Sequence, residues 1–125
     1  MKIHVGQMNS TVGAIESNRE KIEAIYRDGV AAGADIVLVP ELAITGYPPR
    51  DLLDKKMFVD ANLGVRDGLA AMTGETALVF GCVEPSESPV GKPLRNVAIV
   101  AHQGRIVHRW SLRVSTLVVQ NRSPW

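Results

Sequence analysis

The chain has few of the features that mark secreted, membrane-spanning or disulfide-stabilised proteins. It contains one cysteine in 125 residues, which excludes an internal disulfide and fits a reducing, cytoplasmic compartment. No apolar run approaches the length of a membrane span. The sequence opens on a strand-like pattern, so we expect no signal peptide. These absences predict a cytoplasmic protein with no membrane partner.

The chain also lacks an excess of charge of either sign. Fourteen basic and thirteen acidic residues leave a formal net charge of +1, so net charge predicts no nucleic-acid partner. Arg105, Arg109, Arg113 and Arg122 make the end of the chain locally basic, which a solvated face explains at least as well. Hydrophobic residues make up 46% and charged residues 22% of the chain, a profile typical of a globular chain of at most one ordinary domain.

Residues 34–53 carry the strongest pattern in the sequence. Residues 36–39 form a short apolar run without polar alternation, which predicts a strand buried on both faces of a parallel or mixed sheet. Pro40 cannot donate to a sheet ladder, so the strand should end there. Glu41 then falls at the carboxyl end of the strand, where open α/β sheets place their chemistry.

The roles of three chemically capable side chains stay open from the pattern alone. Glu41, between a dry strand and a stiff loop, could act as a general base, or it could be a loop salt-bridge partner or a cap of the next helix. Tyr47 could line a pocket or pack its ring within the fold. Cys82 lies in an apolar strand and is best explained as inert packing. The pattern indicates no metal site.

The rest of the chain predicts an α/β fold. We expect a first helix from Ala14 or Ser17 to Ala32, a second helix at 54–73, and further strands at 2–8, 76–83, 94–101 and 105–110. Ser17 and Glu20 have the spacing of a capping box, and Gly33 supplies a left-handed helix stop. Gln103-Gly104 is a suitable two-residue hairpin turn, and residues 84–93 read as a loop.

Residues 33–53 read Gly-Ala-Asp-Ile-Val-Leu-Val-Pro-Glu-Leu-Ala-Ile-Thr-Gly-Tyr-Pro-Pro-Arg-Asp-Leu-Leu. This run closely resembles the first active-site segment of the carbon–nitrogen hydrolase (nitrilase) superfamily. Its last nine residues look most like the glutaminase domain of glutamine-dependent NAD synthetases. The same pattern is matched by Gln7-Met8-Asn9, Val12-Gly13, Asn18, and the segments 96–100 and 104–107. The resemblance predicts a partial glutaminase domain at 1–110 and a divergent tail at 111–125.

The resemblance implies an α/β fold that is the amino-terminal, incomplete portion of a four-layer αββα sandwich. It implies that Glu41 is the general base of a Glu-Lys-Cys triad that hydrolyses amides. The family pattern should continue after Trp110 with a Lys and later a Cys. The chain has no Lys after Lys92 and no second Cys. Arg113, the nearest basic residue, cannot be assumed to replace the Lys because its donor geometry differs.

Three functions remain open on this basis. The first is an amino-terminal fragment of a glutamine amidohydrolase that supplies ammonia for NAD synthesis from deamido-NAD, inactive alone because its triad is incomplete. This chain would then hold no cofactor, because ATP and deamido-NAD would bind to an absent synthetase domain. Proteins of the family that it resembles are usually oligomeric. The second is a non-catalytic remnant or interaction subunit. The third is a nitrilase-type amidase for another amide.

Overall fold

A five-stranded sheet with helices against one face forms the framework of the chain. The computed structural model describes residues 1–47, 49–86 and 94–111. The strands are β1 (Ile3–Val5), β2 (Ile36–Leu38), β3 (Ala77–Pro85), β4 (Leu94–His102) and β5 (Arg105–Ser111). The helices are α1 (Ile15–Ala31) and α2 (Lys56–Ala71), preceded by a 3-10 helix at Arg50–Asp54. The predicted α/β class is confirmed.

The strands lie in the sheet in the same order as in the chain. The pairs β1–β2 and β2–β3 are parallel, with Ile36 opposite Ile3 on one side and Ala77 on the other. The pairs β3–β4 and β4–β5 are antiparallel. Parallel neighbours need a crossover, which α1 and α2 provide. The carboxyl ends of the first three strands therefore meet at one edge of the sheet.

The core lies between the sheet and the two helices. Val37, Leu78 and Phe80 from the sheet pack with Ile22 of α1 and Leu69 of α2, and each is at most 1% exposed. Burial of this apolar surface is the main favourable contribution to folding.

The sheet face away from the helices is only partly covered within the described residues. Leu38 of β2 is 39% exposed and Val5 of β1 is 63% exposed. The prediction that the apolar run of β2 is buried on both faces is therefore wrong for the part of the chain described, because the helices lie on one face only.

The helix α1 is not capped at its start as predicted but stops where it was predicted to stop. The helix begins after Ala14, and no side chain caps its first turn. The predicted capping box of Ser17 and Glu20 is wrong, because Ser17 already lies inside the helix. Gly33 has a φ of +75°, which confirms the left-handed stop. Within the described ranges, neither helix is long and apolar enough to cross a bilayer.

The predicted hairpin is confirmed between β4 and β5. Gln103 and Gly104 have φ values of +55° and +81°, the pair of positive angles that a type I′ hairpin turn requires. The predicted loop at 84–93 is wrong at its start, since Glu84 belongs to β3. Its remainder at 87–93, and residues 112–125 with Arg113 and nearly all of the predicted tail, lie outside the described residues.

Candidate active site

Glu41 lies at the edge of the sheet where the parallel strands end. After β2, Val39 N donates to Val79 O at 3.0 Å, and Pro40, which lacks an N–H, interrupts further pairing. Glu41 follows directly, and its side chain is partly buried. The structure thus places this carboxylate at the strand end where the sequence pattern put it, and its role as general base stays a prediction.

The five residues after Glu41 form a buried loop, 42–46, which is tied to neighbouring segments through its carbonyl groups. Three hydrogen bonds do this: Asn18 Nδ2 to Ile44 O (2.9 Å), Ser10 Oγ to Ala43 O (3.2 Å) and Gly13 N to Thr45 O (3.0 Å). Asn18 is fully buried and also pairs with the backbone of Thr11. A buried backbone satisfied in this way is costly to move, so the loop holds Glu41 in a defined position.

Two residues of the loop adopt left-handed backbone conformations. Leu42 has a φ of +51°, which is uncommon for a residue with a side chain and often accompanies functional sites. Gly46 has a φ of +77° and donates its N–H to Leu42 O at 2.9 Å. A Cβ at Gly46 would come within 2.7 Å of the Val12 backbone. The loop is therefore compact because glycine permits both its turn and its close packing.

Gly81 of β3 lets the Glu41 backbone approach the sheet. A Cβ at this position would lie 3.0 Å from Cα and the carbonyl carbon of Glu41, and closer still to the nitrogen of Leu42. These neighbours are backbone atoms of an anchored loop, so they cannot rotate out of the way. Position 81 of this apolar strand therefore requires a glycine, because any side chain there would collide with the backbone of Glu41.

We expect Gly81→Ala to destabilise the chain by about 1–3 kcal/mol, as overpacking does in well-packed sites. The backbone of Glu41 must shift to admit the methyl group. Gly64→Ala is the matched control: Gly64 lies in α2 with no atom near its added Cβ, so the change should stabilise the chain by roughly 0.5–1 kcal/mol. Urea unfolding of the three proteins measures both effects, and equal midpoints for Gly81→Ala and the parent would contradict the close approach.

Asn96 of β4 meets Glu41 from the sheet. Its side chain is 6% exposed, and its Nδ2 donates to Oε1 of Glu41. Asn96 lies opposite Val83 in the β3–β4 register, so long-range strand pairing carries it to the Glu41 edge. The carboxylate thus has a charge-assisted hydrogen bond from a buried donor. Sequence patterns did not predict this contact.

Tyr47 lies at the far end of the buried loop from Glu41. Its side chain is partly buried, and Pro48 beside it lies outside the described residues. Its predicted place in the pocket stays a prediction. Among the described residues, no group of three or more His, Cys, Asp or Glu side chains could hold a metal ion.

A second charged cluster lies on the helix-facing side of the sheet. Glu84 of β3 is 3% exposed and accepts hydrogen bonds from Arg66 Nη1 at 2.6 Å and Arg109 Nε at 3.0 Å. The Nη2 atom of Arg95 lies 3.7 Å from the same carboxylate. The interpretation of Arg109 as part of a solvated face is therefore incomplete, because its guanidinium pairs with a buried acid.

Cys82 lies two residues before Glu84 and is fully buried. Burial raises the pKa of the Cys82 thiol to about 12, and the charge of Glu84 adds to the effect. At neutral pH the group is a protonated thiol, which is a poor nucleophile. Cys82 therefore serves packing and cannot attack an amide in this environment.

We expect Cys82 to resist maleimide at pH 7 in the folded chain and to react readily in urea. The pKa shift also gives a pH effect, because the unfolded thiol ionises from about pH 9 while the folded thiol holds its proton to about pH 12. The unfolded state then releases a proton first, so stability should fall as pH rises through this window. Cys82→Ala should flatten that part of the pH dependence. Rapid labelling under native conditions would contradict the burial.

Comparison with known proteins places these observations in a family. A family model for carbon-nitrogen hydrolases matches residues 2–119. The match continues past residue 110, where the divergent tail was expected to follow. Since residues 112–125 lie outside the described ranges, the domain boundary stays a prediction.

Curated relatives and solved structures agree with the family match. The chain is 41% identical over 108 residues to a glutamine-dependent NAD(+) synthetase of Synechocystis sp., covering 83% of this chain and 19% of that protein. It is 44% identical over 114 residues to one from Rhodobacter capsulatus, covering 86% and 19%. The structure of a glutamine-dependent NAD+ synthetase from Acinetobacter baumannii matches with a TM-score of 0.77 at 26% identity, over 87% of this chain and 20% of that one. The chain spans about one fifth of the length of these relatives.

Proposed function

Since the chain belongs to the carbon–nitrogen hydrolase family, we propose that it is the amino-terminal part of a glutamine amidohydrolase that supplies ammonia for NAD synthesis from deamido-NAD. The position of Glu41 is the observation that carries the proposal. Its carboxylate is partly buried, lies at the carboxyl ends of the parallel strands and accepts a hydrogen bond from Asn96. The glutamine-dependent NAD synthetases among its relatives favour glutamine as the amide.

Amide hydrolysis of this kind needs a thiolate nucleophile, a base that takes its proton and returns it to the leaving ammonia, and a donor for the developing oxyanion. Glu41 is the candidate base. Cys82 is not a candidate nucleophile, because burial raises its pKa to about 12. We therefore propose that the nucleophile and the triad Lys come from sequence outside this chain, and that the chain alone does not hydrolyse glutamine.

The ligands of the NAD-forming step are also expected to bind outside this chain. We propose that ATP and deamido-NAD bind outside this segment, and that Tyr47, which follows the buried loop 42–46, lines the amide pocket. The single buried thiol supports a reducing, cytoplasmic setting for the complete protein.

A chimera tests the function directly. Residues 1–110 of this chain replace the matching segment of the Rhodobacter capsulatus synthetase, and the rest of that protein is expected to supply the Lys and Cys that the family resemblance implies. NAD formation is measured with glutamine and, separately, with ammonia as the nitrogen source. Ammonia bypasses the glutaminase, so its use reports that the chimera is folded and that its synthetase part works.

We expect the chimera to use both nitrogen sources, and the 125-residue chain alone to release no ammonia from glutamine. Use of ammonia without use of glutamine would point to another amide or to a non-catalytic role, and would overturn the proposal. Ammonia release by the chain alone would overturn the statement that it is inactive in isolation.

A further inference from the structure

We propose that Asn96 is the positioning residue that holds the Glu41 carboxylate in its working orientation. The inference deepens the proposed function and rests on it. It starts from one contact: Nδ2 of Asn96, on β4, donates to Oε1 of Glu41, which is 55 positions away in the chain.

The chemistry of the two groups fixes the direction of this bond. An ionised carboxylate has only acceptor atoms, so the amide must present its NH2 group to Glu41. Its oxygen must then point elsewhere. Oδ1 of Asn96 is buried and has no hydrogen-bond partner among the residues that the structure describes.

A buried acceptor without a partner costs free energy, and an apolar side chain at the same place would avoid that cost. Side chains alternate along a strand, so Ala98 and Val100 share the face of β4 that carries Asn96, and both are apolar and partly buried. The polar residue at position 96 therefore breaks the pattern that stability favours. Such departures are expected where function requires them, and within the described ranges Asn96 Nδ2 donates to the candidate base.

The backbone contacts of Glu41 do not by themselves orient its carboxylate. Gly81 and the buried loop fix the backbone of Glu41, but they leave the side-chain torsions of a glutamate to be set. A donor from β4, a different element, restricts those torsions. Misplacing a reacting group by about 1 Å can lower turnover by about 10²-fold.

The kinetic test uses the chimera that carries residues 1–110. We expect Asn96→Ala to lower kcat with glutamine by about tenfold to a hundredfold, with little change in KM and none in ammonia-dependent NAD formation. Asn96→Asp keeps the size of the side chain and replaces the donor by a like charge, so it should lose at least as much. Asn62→Ala is the matched control, because Asn62 is also a buried asparagine but pairs with the Val83 backbone.

A spectroscopic test uses the full 125-residue chain and needs no turnover. In the native chain a charged acceptor should move one Asn96 side-chain amide proton downfield. Glu41→Gln should reverse that shift and leave the side-chain resonances of Asn62 and Asn18 in place. This measurement separates the two proposals: a parent chimera that ignores glutamine refutes the proposed function, while the Asn96–Glu41 contact is still decided by NMR.

Two results would overturn the inference. One is a loss in Asn96→Ala that affects glutamine- and ammonia-dependent turnover equally, as expected for Asn62→Ala if it only destabilises the fold. The other is an Asn96 amide resonance that Glu41→Gln does not move.

Discussion

Replacing Glu41 by Gln in the chimera should lower glutamine-dependent NAD formation by about 10²–10⁴-fold, the usual contribution of a positioned general base. Ammonia-dependent formation should stay at the parent value. The substitution keeps the size of the side chain and an oxygen that can accept from Asn96 Nδ2, so the loop and the sheet edge should remain intact. The lost property is the capacity to take and return a proton.

The control makes the same chemical change at an exposed carboxylate. Glu16, on the first turn of α1, pairs with Arg19 and is 68% exposed, so Glu16→Gln should leave both activities unchanged. Equal glutamine-dependent rates in the parent and in Glu41→Gln would remove Glu41 from the mechanism. Equal losses with glutamine and with ammonia would mean that the variant had damaged the fold.

Local sequence rules predicted the position of Glu41 and much of its framework. The apolar run before Pro40 predicted the strand and its end, because proline cannot continue a ladder. Gly33 and Gln103-Gly104 predicted a helix stop and a hairpin turn, since both sites need positive φ. In each case the determining contacts lie within a few residues, where a single sequence carries the information.

Contacts between distant strands could not be predicted in the same way. Asn96 reaches Glu41 because β4 pairs with β3 in one register, with Asn96 opposite Val83, and a slip of one residue would turn its side chain to the other face. Gly81 did leave a signal, since a lone glycine in an apolar strand often marks a close backbone approach. The signal does not name the neighbour, which is supplied by the fold.

The contacts of Glu84 also join distant segments and could not be predicted from local patterns. Replacing Glu84 is the change for which we expect the largest effect on stability. Its carboxylate brings together Arg66 of α2, Arg95 of β4 and Arg109 of β5, three residues that no local pattern connects. Glu84→Gln would leave these guanidinium groups close together without their shared counter-charge. Breaking a buried ion pair in this way costs about 3–5 kcal/mol. The arginines partly reach solvent, which screens their repulsion, so we expect a loss of about 2–4 kcal/mol.

Urea unfolding of the 125-residue chain measures this loss as a lower midpoint at an unchanged slope. Added salt should recover only part of it, because partly buried charges are screened less than exposed ones. Glu16→Gln again serves as the control and should leave the midpoint in place. If Glu84→Gln unfolds at the parent midpoint, the ion pairs of Glu84 do not contribute to stability, and the junction of α2, β4 and β5 is held by its other contacts. A loss of the expected size would show that a buried acid, in addition to the apolar core, holds the hairpin against the helix beside the candidate site.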